Sequence, residues 1–237
     1  GYELVKTEYV LLGADDEFYN KNILKECIDT LEKDKNYSSC MGLPYTFDIK
    51  NGKVKLKRIY KLNSSILDII PDQKIRALTY FSNYQPRNLY SVCKTDFAKV
   101  LFNVFYNHRD LEIFAWVEMF YEISMTLKGS HKVLNKPYWI RGNRKKIKRE
   151  FPVLQIQKYI EDIKGVENLY KLISELSNKL SEILQLSEES VSDYFKFCIF
   201  IYISNLPNKT NQNFFMKCLS ELRYPLSIQR HNIKIYK

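Results

Sequence analysis

The chain has 237 residues, of which 45% are hydrophobic and 27% charged; this balance predicts a globular protein with one large domain or two small ones. Its formal net charge of +10 favours anionic partners such as nucleic acid, anionic lipid or phosphorylated substrates, without choosing among them. The strongest apolar run, Phe195 to Ile203, is too short for a membrane span and predicts a buried helix. Five scattered cysteines and three distant histidines argue against a zinc site and favour a cytoplasmic protein with reduced thiols.

An apolar run from Tyr9 to Leu12 is followed closely by three acids, Asp15, Asp16 and Glu17. A continuous apolar run predicts a strand that is buried on both faces. Neighbouring carboxylates repel one another, so they favour a cation or a cationic partner among them, and ligands of α/β sheets bind at the carboxyl ends of strands. The alternative is a plain acidic turn whose carboxylates interact with the next helix N-terminus.

The next segments predict a helix and then a hairpin. Residues 20–33 place apolar side chains on one helical face, with Asn20 or Asn22 as the N-cap. The dipeptide Asn51–Gly52 predicts a hairpin turn between two extended segments, residues 44–49 and 54–60. The second segment alternates apolar and basic residues, which predicts one packed and one wet face, and a slip at Arg58 suggests a bulge.

Helices and short strands alternate from residue 63 to residue 141. A helical region that Pro71 interrupts has core candidates Ile66, Leu67, Ile70, Ile75, Leu78 and Phe81. The later predictions are a strand at 89–93, a helix at 96–106 capped by Thr95, a helix from Asp110 to Leu127, and an extended segment from His131 to Arg141.

A basic run, residues 141–149, precedes a change in sequence pattern. Helical periods dominate residues 155–163, 166–186, 190–203 and 212–223, and a last short strand is predicted at 228–236. We therefore predict an α/β portion over residues 1–149 and a mainly helical region over residues 150–237.

Several of these segments, in this order, resemble the GT-A, family-2-type glycosyltransferases, above all a bacterial subgroup in which a strand ends in Ala-Asp-Asp-Asp-Phe. The resemblance spans roughly residues 6–143. It rests on Tyr9–Phe18, Tyr37–Gly42, Tyr90–Thr95, Trp116–Met119, Gly129 and Tyr138–Arg141. It implies a partial GT-A-like, Rossmann-like mixed sheet.

The resemblance also implies an activity: inverting transfer of a sugar from a nucleotide-sugar donor to a glycan, surface-polymer or lipid-linked acceptor. Asp15 and Asp16 are the expected donor-binding acids, and Glu17 with Asp15 would hold Mn²⁺ or Mg²⁺ against the diphosphate, with Asp16 as the alternative to Glu17. Arg141 would lie near the diphosphate, the alternative being that its basic run is a solvated loop.

An inverting transfer also needs a general base, which removes the proton of the acceptor hydroxyl. The resemblance assigns this role to Glu118, which interrupts an apolar helix face, with Glu122 one turn later as the runner-up. The alternative for either residue is a solvent-facing side chain that only adds to helix solubility.

Two departures from the family pattern leave other functions open. Glu17 stands where the family has Asp, and the N-terminal portion that grips the nucleoside base does not precede the first strand, which predicts either a fragment or a protein without donor binding. One alternative is a non-catalytic transferase-like binding domain. Another is a basic nucleic-acid-binding module that uses Lys53, Lys55, Lys57 and Arg58. We expect a cytoplasmic location, with peripheral contact to an anionic membrane as an option.

Overall fold

The computed structural model describes residues 2–14, 17–59, 69–82, 84–108, 114–142 and 163–205. Its strands are β1 (Tyr9–Val10), β2 (Glu17–Tyr19), β3 (Tyr37–Lys50), β4 (Lys53–Arg58), β5 (Val92–Lys94) and β6 (Ser130–Gly142). Its α-helices are α1 (Lys21–Lys33), α2 (Gln73–Phe81), α3 (Thr95–Asn107), α4 (Phe114–Lys128), α5 (Ile163–Leu184) and α6 (Glu188–Ser204), with 3₁₀ helices at Tyr2–Leu4 and Asn88–Tyr90. The predicted α/β class is confirmed.

One mixed sheet organises these elements. Its strand order is β1-β5-β3-β6-β2, and β4 pairs with the second half of β3. The long central strands β3 and β6 run parallel, whereas the other pairs are antiparallel. The register between β3 and β6 shifts three times between Tyr37 and Pro44, which bends both strands and curls the sheet.

The connection from β1 to β2 crosses the whole sheet. The two strands are close in sequence, yet they lie at opposite ends of the strand order. In a flat sheet Val10, in the row of Ser39, and Glu17, in the row of Thr46, would be about 19 Å apart across the strands and about 23 Å apart along them, or about 30 Å in all. The seven Cα–Cα steps from Val10 to Glu17 reach at most about 25 Å. The curl of the sheet brings its two ends within this reach. The acid-bearing connection is therefore held at both of its ends.

The first strand differs from its prediction. Only Tyr9 and Val10 form β1; both are half-buried, and Leu12 is 40% exposed. Among the described strands β1 pairs with β5 alone, so its other side has no neighbouring strand to cover the apolar run. The prediction of a strand buried on both faces is therefore wrong for the described part of the chain.

Local signals around α1 are confirmed. Asn20 is the N-cap, and its side chain accepts a hydrogen bond from the backbone N–H of Asn22. The predicted apolar face packs under the sheet through Ile23, Cys27 and Leu31. This packing fixes the helix against β3.

The hairpin turn is confirmed, but the burial predicted for its second strand is wrong. Asn51 and Gly52 have positive φ angles of 52° and 70°, as a two-residue hairpin turn requires. The pairing runs in regular register from Lys53 to Arg58, without the predicted bulge. Both faces of β4 are open: Val54 is 63% and Leu56 57% exposed. The alternating pattern predicted a packed face, but the hairpin extends past the end of β6, where no described element covers it.

Helix α2 buries a different face from the predicted one. Asp72 caps it by accepting a hydrogen bond from the N–H of Ile75, yet Ile75 is 57% and Leu78 47% exposed. Phe81 is buried as predicted, and the other buried side chains are Arg76, Ala77 and Tyr80. Helix α2 turns this face inward because Arg76 binds the end of α4. Residues 60–68, which carry the candidates Ile66 and Leu67, lie outside the described residues.

Arg76 holds the C-terminus of α4. Its guanidinium donates to the carbonyl oxygens of Thr126 (2.5 Å) and Leu127 (3.0 Å), and also to those of Ile70 (2.5 Å) and Pro71 (3.3 Å). These contacts satisfy carbonyl groups that a helix end leaves open, and they place a positive charge at the negative end of the helix dipole.

Arg76→Met should therefore lower the free energy of unfolding by about 3 kcal/mol, because it leaves several buried carbonyls without donors. Urea denaturation at pH 7 measures this change. Lys74→Met is the matched control, since Lys74 is exposed on the same helix. Equal effects of the two substitutions would contradict the capping role.

The C-terminal helices α5 and α6 confirm the helical prediction for residues 163–204 and share one core with α2, α3 and α4. Phe195 of α6 stacks on Phe120 of α4 with ring centroids 5.5 Å apart. The boundary at residue 149, the basic run after residue 142 and the elements predicted beyond residue 205 lie outside the described residues, so the division into two regions stays a prediction. Within the described ranges, no helix combines the length and apolarity that crossing a bilayer requires.

Candidate functional site

Glu17 and Arg141 face each other across the pairing of β2 with β6. Arg141 Nη1 lies 4.0 Å from Glu17 Oε1. The Glu17 side chain is 1% exposed, whereas that of Arg141 is 39% exposed and its guanidinium stands 5.3 Å from the centre of the Trp139 ring. The structure thus pairs two residues that were predicted from separate segments, and it leaves the cation accessible to a ligand.

The second oxygen of Glu17 holds its own turn. Oε2 accepts hydrogen bonds from the Tyr19 hydroxyl at 2.5 Å and from the Ala14 N–H at 3.1 Å, while the Glu17 N–H donates to the Ala14 carbonyl at 3.4 Å. Burial, reinforced by the Glu17 carboxylate, raises the pKa of Tyr19. Glu17 therefore fixes the C-terminal end of the connection between β1 and β2 by binding the backbone of Ala14.

Glu17 is poorly placed to bind the expected Mn²⁺ or Mg²⁺, because both of its carboxylate oxygens already have partners. A divalent cation of this kind needs several oxygen ligands, and Glu17 Oε2 already accepts two hydrogen bonds while Oε1 faces a guanidinium. Asp15 and Asp16 lie outside the described residues, and in the rest of the described chain no three His, Cys, Asp or Glu side chains form a metal-binding group. The described residues alone therefore do not fit a Mn²⁺ or Mg²⁺ site.

Glu118 lies on α4 in an aromatic environment. Its Oε1 accepts a hydrogen bond from the Tyr84 hydroxyl at 3.2 Å. Burial and the nearby charge of Glu122 raise the pKa of Glu118 to about 7, and the hydrogen bond from Tyr84 opposes this rise. Tyr202 of α6 borders the same space, since burial and the Glu118 charge raise the pKa of Tyr202 to about 12. A carboxyl group with this pKa can accept a proton at neutral pH.

Glu122, predicted as the second candidate base, is completely buried. Its Oε1 accepts hydrogen bonds from the N–H groups of Arg87 (2.9 Å) and Leu89 (3.0 Å). Its Oε2 accepts from the Asn88 N–H (3.0 Å), the Asn88 amide (2.7 Å) and the Tyr80 hydroxyl. Burial raises the pKa of Glu122, and hydrogen bonds from Tyr80, Leu89 and Asn88 oppose that rise. With five donors around it, this carboxylate has the geometry of a structural anchor.

The anchor holds a tight turn where the sequence predicted a strand. Residues 88–90 form a 3₁₀ helix, and the strand begins only at Val92. Thr95 belongs to the first turn of α3 rather than capping it, and its N–H donates to the carbonyl of Glu8. The Glu122 carboxylate satisfies three N–H groups of residues 87–89 and so favours the turn over an extended strand.

Tyr90, at the end of this turn, connects the two halves of the site. Burial and the charges of Glu118 and Glu17 raise its pKa to about 12, while Arg141 acts in the opposite direction. Its ring lies 6.1 Å from that of Trp139. Tyr90 is therefore within electrostatic range of both Glu118 and the Glu17–Arg141 pair.

The aromatic residues of this site were not predicted as site residues. They are Tyr84, Tyr90, Trp139 and Tyr202. Three of them lie beside predicted charged residues: Tyr84 and Tyr202 beside Glu118, and Trp139 beside Arg141. The short sequence distance between Trp139 and Arg141, two positions apart on a strand and therefore on one face, was the available signal.

No protein-family model matches the sequence, and no curated protein is significantly similar to it. Functional assignment therefore depends on the geometry around Tyr90 together with the resemblance of the ordered sequence segments.

Proposed function

We propose that the protein is a GT-A-like glycosyltransferase that transfers a sugar, with inversion, from a nucleotide-sugar donor to a hydroxyl of a glycan or surface-polymer precursor in the cytoplasm. The observation that carries the proposal is the grouping around Tyr90 of an accessible guanidinium and a carboxyl group with a pKa of about 7. The pairing of β2 with β6, which places Glu17 opposite Arg141, supports it.

In the proposed reaction, Glu118 is the general base. At pH 7 about half of its carboxyl groups are ionised and can take the proton of the acceptor hydroxyl. The acceptor oxygen then forms a bond to the anomeric carbon of the donor as the bond from that carbon to the diphosphate breaks. The proton passes from Glu118 to solvent after the product leaves.

Arg141 neutralises the leaving diphosphate. A guanidinium binds phosphate oxygens through two parallel hydrogen bonds, and its contact with Trp139 orients it. Charge on the diphosphate increases as the glycosidic bond breaks, so the contact strengthens toward the transition state. Glu17 keeps the connection beside Arg141 in place. A role for Mn²⁺ or Mg²⁺ depends on Asp15 and Asp16 and stays a prediction.

Pyrophosphate tests the leaving-group site without requiring the identity of the nucleoside. We expect calorimetric titration with pyrophosphate, UDP and GDP to detect binding that Arg141→Ala weakens about 10- to 100-fold, because one charged hydrogen-bonding group is lost. Lys25→Ala, which removes an exposed cation on α1, should leave binding within about twofold.

Two results would contradict the proposal. One is pyrophosphate binding that is equally strong in wild type and in Arg141→Ala. The other is strongly salt-dependent binding of generic RNA that Arg141→Ala and added Mn²⁺ leave unchanged, which would favour a nucleic-acid-binding module. A parallel titration of Asp15→Ala with and without Mn²⁺ determines whether a metal contributes.

A further inference from the structure

The hairpin of β3 and β4, residues 45–58, has one apolar and one basic face. Directly paired residues share a face, and the two faces alternate along each strand. On the apolar face Phe47 pairs with Leu56 and Ile49 with Val54, while Tyr45 pairs with Arg58 at the base of the hairpin. On the basic face the pairs are Thr46–Lys57, Asp48–Lys55 and Lys50–Lys53.

The apolar face lies open to solvent and continues across the sheet. Ile49 is 67%, Val54 63% and Leu56 57% exposed. Phe18 of β2 pairs with Ile140 of β6, which in turn pairs with Tyr45 at the base of the hairpin. Phe18 is 69% exposed. Exposed apolar side chains grouped in this way mark an interaction surface.

From this arrangement we infer that the hairpin docks the protein on an anionic membrane surface. The apolar tip enters the boundary between lipid headgroups and acyl chains, and the four lysines of the basic face bind lipid phosphate and carboxylate groups. An interfacial element combines these two features: an apolar face that inserts and a lysine-rich polar face that anionic lipids attract.

Charge complementarity favours a membrane over a second copy of the chain. In a two-fold antiparallel pairing of β4 with β4 centred on Lys55, Lys55 would meet its own copy and Lys53 would meet Lys57, and like charges on paired strands destabilise the contact. It also favours a membrane over RNA. The basic face contains no aromatic side chain for base stacking, and RNA would leave the apolar face uncovered.

Vesicle flotation tests the inference with the full chain. We expect binding to phosphatidylcholine vesicles that contain 30 mol% phosphatidylserine and little binding to phosphatidylcholine alone. The variant Ile49→Thr/Val54→Thr/Leu56→Thr keeps β-branched residues in the strands and should bind at least about tenfold less. If this variant unfolds by circular dichroism, the single substitution Leu56→Thr replaces it and should still reduce binding measurably.

The basic face is tested by matched charge removal. Lys50→Gln/Lys53→Gln/Lys55→Gln should weaken binding about 100-fold, because each lysine near an anionic surface contributes about fivefold. The control removes the same three charges from exposed positions on α1, namely Lys21, Lys25 and Lys33, and should weaken binding less than about fivefold.

Three outcomes would overturn the inference: no binding to the anionic vesicles, equal binding by the wild type and the apolar variant, or equal losses in the two lysine variants. Dimerisation in analytical ultracentrifugation that the apolar variant abolishes would assign the surface to a second copy. RNA binding that only the hairpin lysine variant loses, without vesicle binding, would assign it to nucleic acid. Since the readout is vesicle binding, the result does not depend on transferase activity.

Discussion

Glu118→Gln should lower kcat about 100- to 10,000-fold, measured as release of UDP or GDP from the nucleotide sugar that the wild type uses. Glutamine keeps the shape of the side chain and can still accept the hydrogen bond from Tyr84, but it cannot take a proton. Pyrophosphate affinity should stay within about twofold, because Glu118 does not bind the leaving group. A panel of nucleotide sugars with a glycan acceptor, assayed for diphosphate release, measures kcat.

The pH dependence provides a second readout. Because the pKa of Glu118 is about 7, the wild-type kcat/KM should rise as the pH increases through about 7 and then level off. Glu182→Gln, at an exposed position on α5, is the control and should leave both kcat and the pH profile unchanged. A wild-type protein that binds pyrophosphate but releases no nucleotide from any donor would favour the non-catalytic alternative.

The stability of Glu118→Gln separates a functional residue from a structural one. The folded-state pKa of about 7 lies above the ordinary value of 4.5 for a glutamate, so the folded protein holds this proton more tightly than the unfolded chain. The contribution of Glu118 to the free energy of unfolding is highest below about pH 4.5, falls as the pH rises to about 7, and is then constant. Glu118→Gln should therefore stabilise the protein at pH 8 by on the order of 1 kcal/mol and have little effect at pH 4.

Glu122→Ala should lower the free energy of unfolding by about 3–5 kcal/mol. The substitution removes the acceptor of three buried N–H groups, of the Asn88 amide and of the Tyr80 hydroxyl, and it leaves a cavity beside them. Urea denaturation at pH 7 measures the loss. The 3₁₀ turn should also loosen, which would displace Tyr90 and lower activity in any molecules that remain folded.

Two further substitutions control this prediction. Glu122→Gln should cost less, about 2 kcal/mol, because one amide oxygen still accepts hydrogen bonds while the NH₂ group faces other donors. Glu118→Gln makes the same chemical change one turn earlier on α4 and should not destabilise the protein. A cost for Glu122→Ala below about 1 kcal/mol would mean that Glu122 does not anchor the turn.

Features that depend on neighbouring residues in sequence could be predicted. The cap at Asn20 and the turn at Asn51–Gly52 follow from hydrogen bonding and backbone freedom within a few residues. The register that places Glu17 opposite Arg141 was not predicted; the resemblance only implied that each residue lies near a donor diphosphate. Whether the site binds a donor stays a prediction.

Burial and hydrogen-bond partners could not be predicted because they depend on distant segments. Periodicity identifies an apolar face without revealing what covers it, so Leu56 was assigned to a packed face although it is exposed. The spacing of Glu118 and Glu122 shows that they lie one turn apart. It does not show that Glu122 accepts hydrogen bonds from a turn some thirty residues upstream, or that Glu118 faces Tyr202 near the end of the described chain.

In the connection between β1 and β2, the number of residues matters more than their identity. Its two ends are fixed, by pairing with β5 on one side and with β6 on the other, and its reach exceeds the required span only because the sheet curls. Deleting one residue between Val10 and Glu17 would pull a strand out of register, whereas replacing a side chain at the exposed Leu12 would leave both attachments intact. Among related chains, we expect this segment to vary in residue type before it varies in residue number.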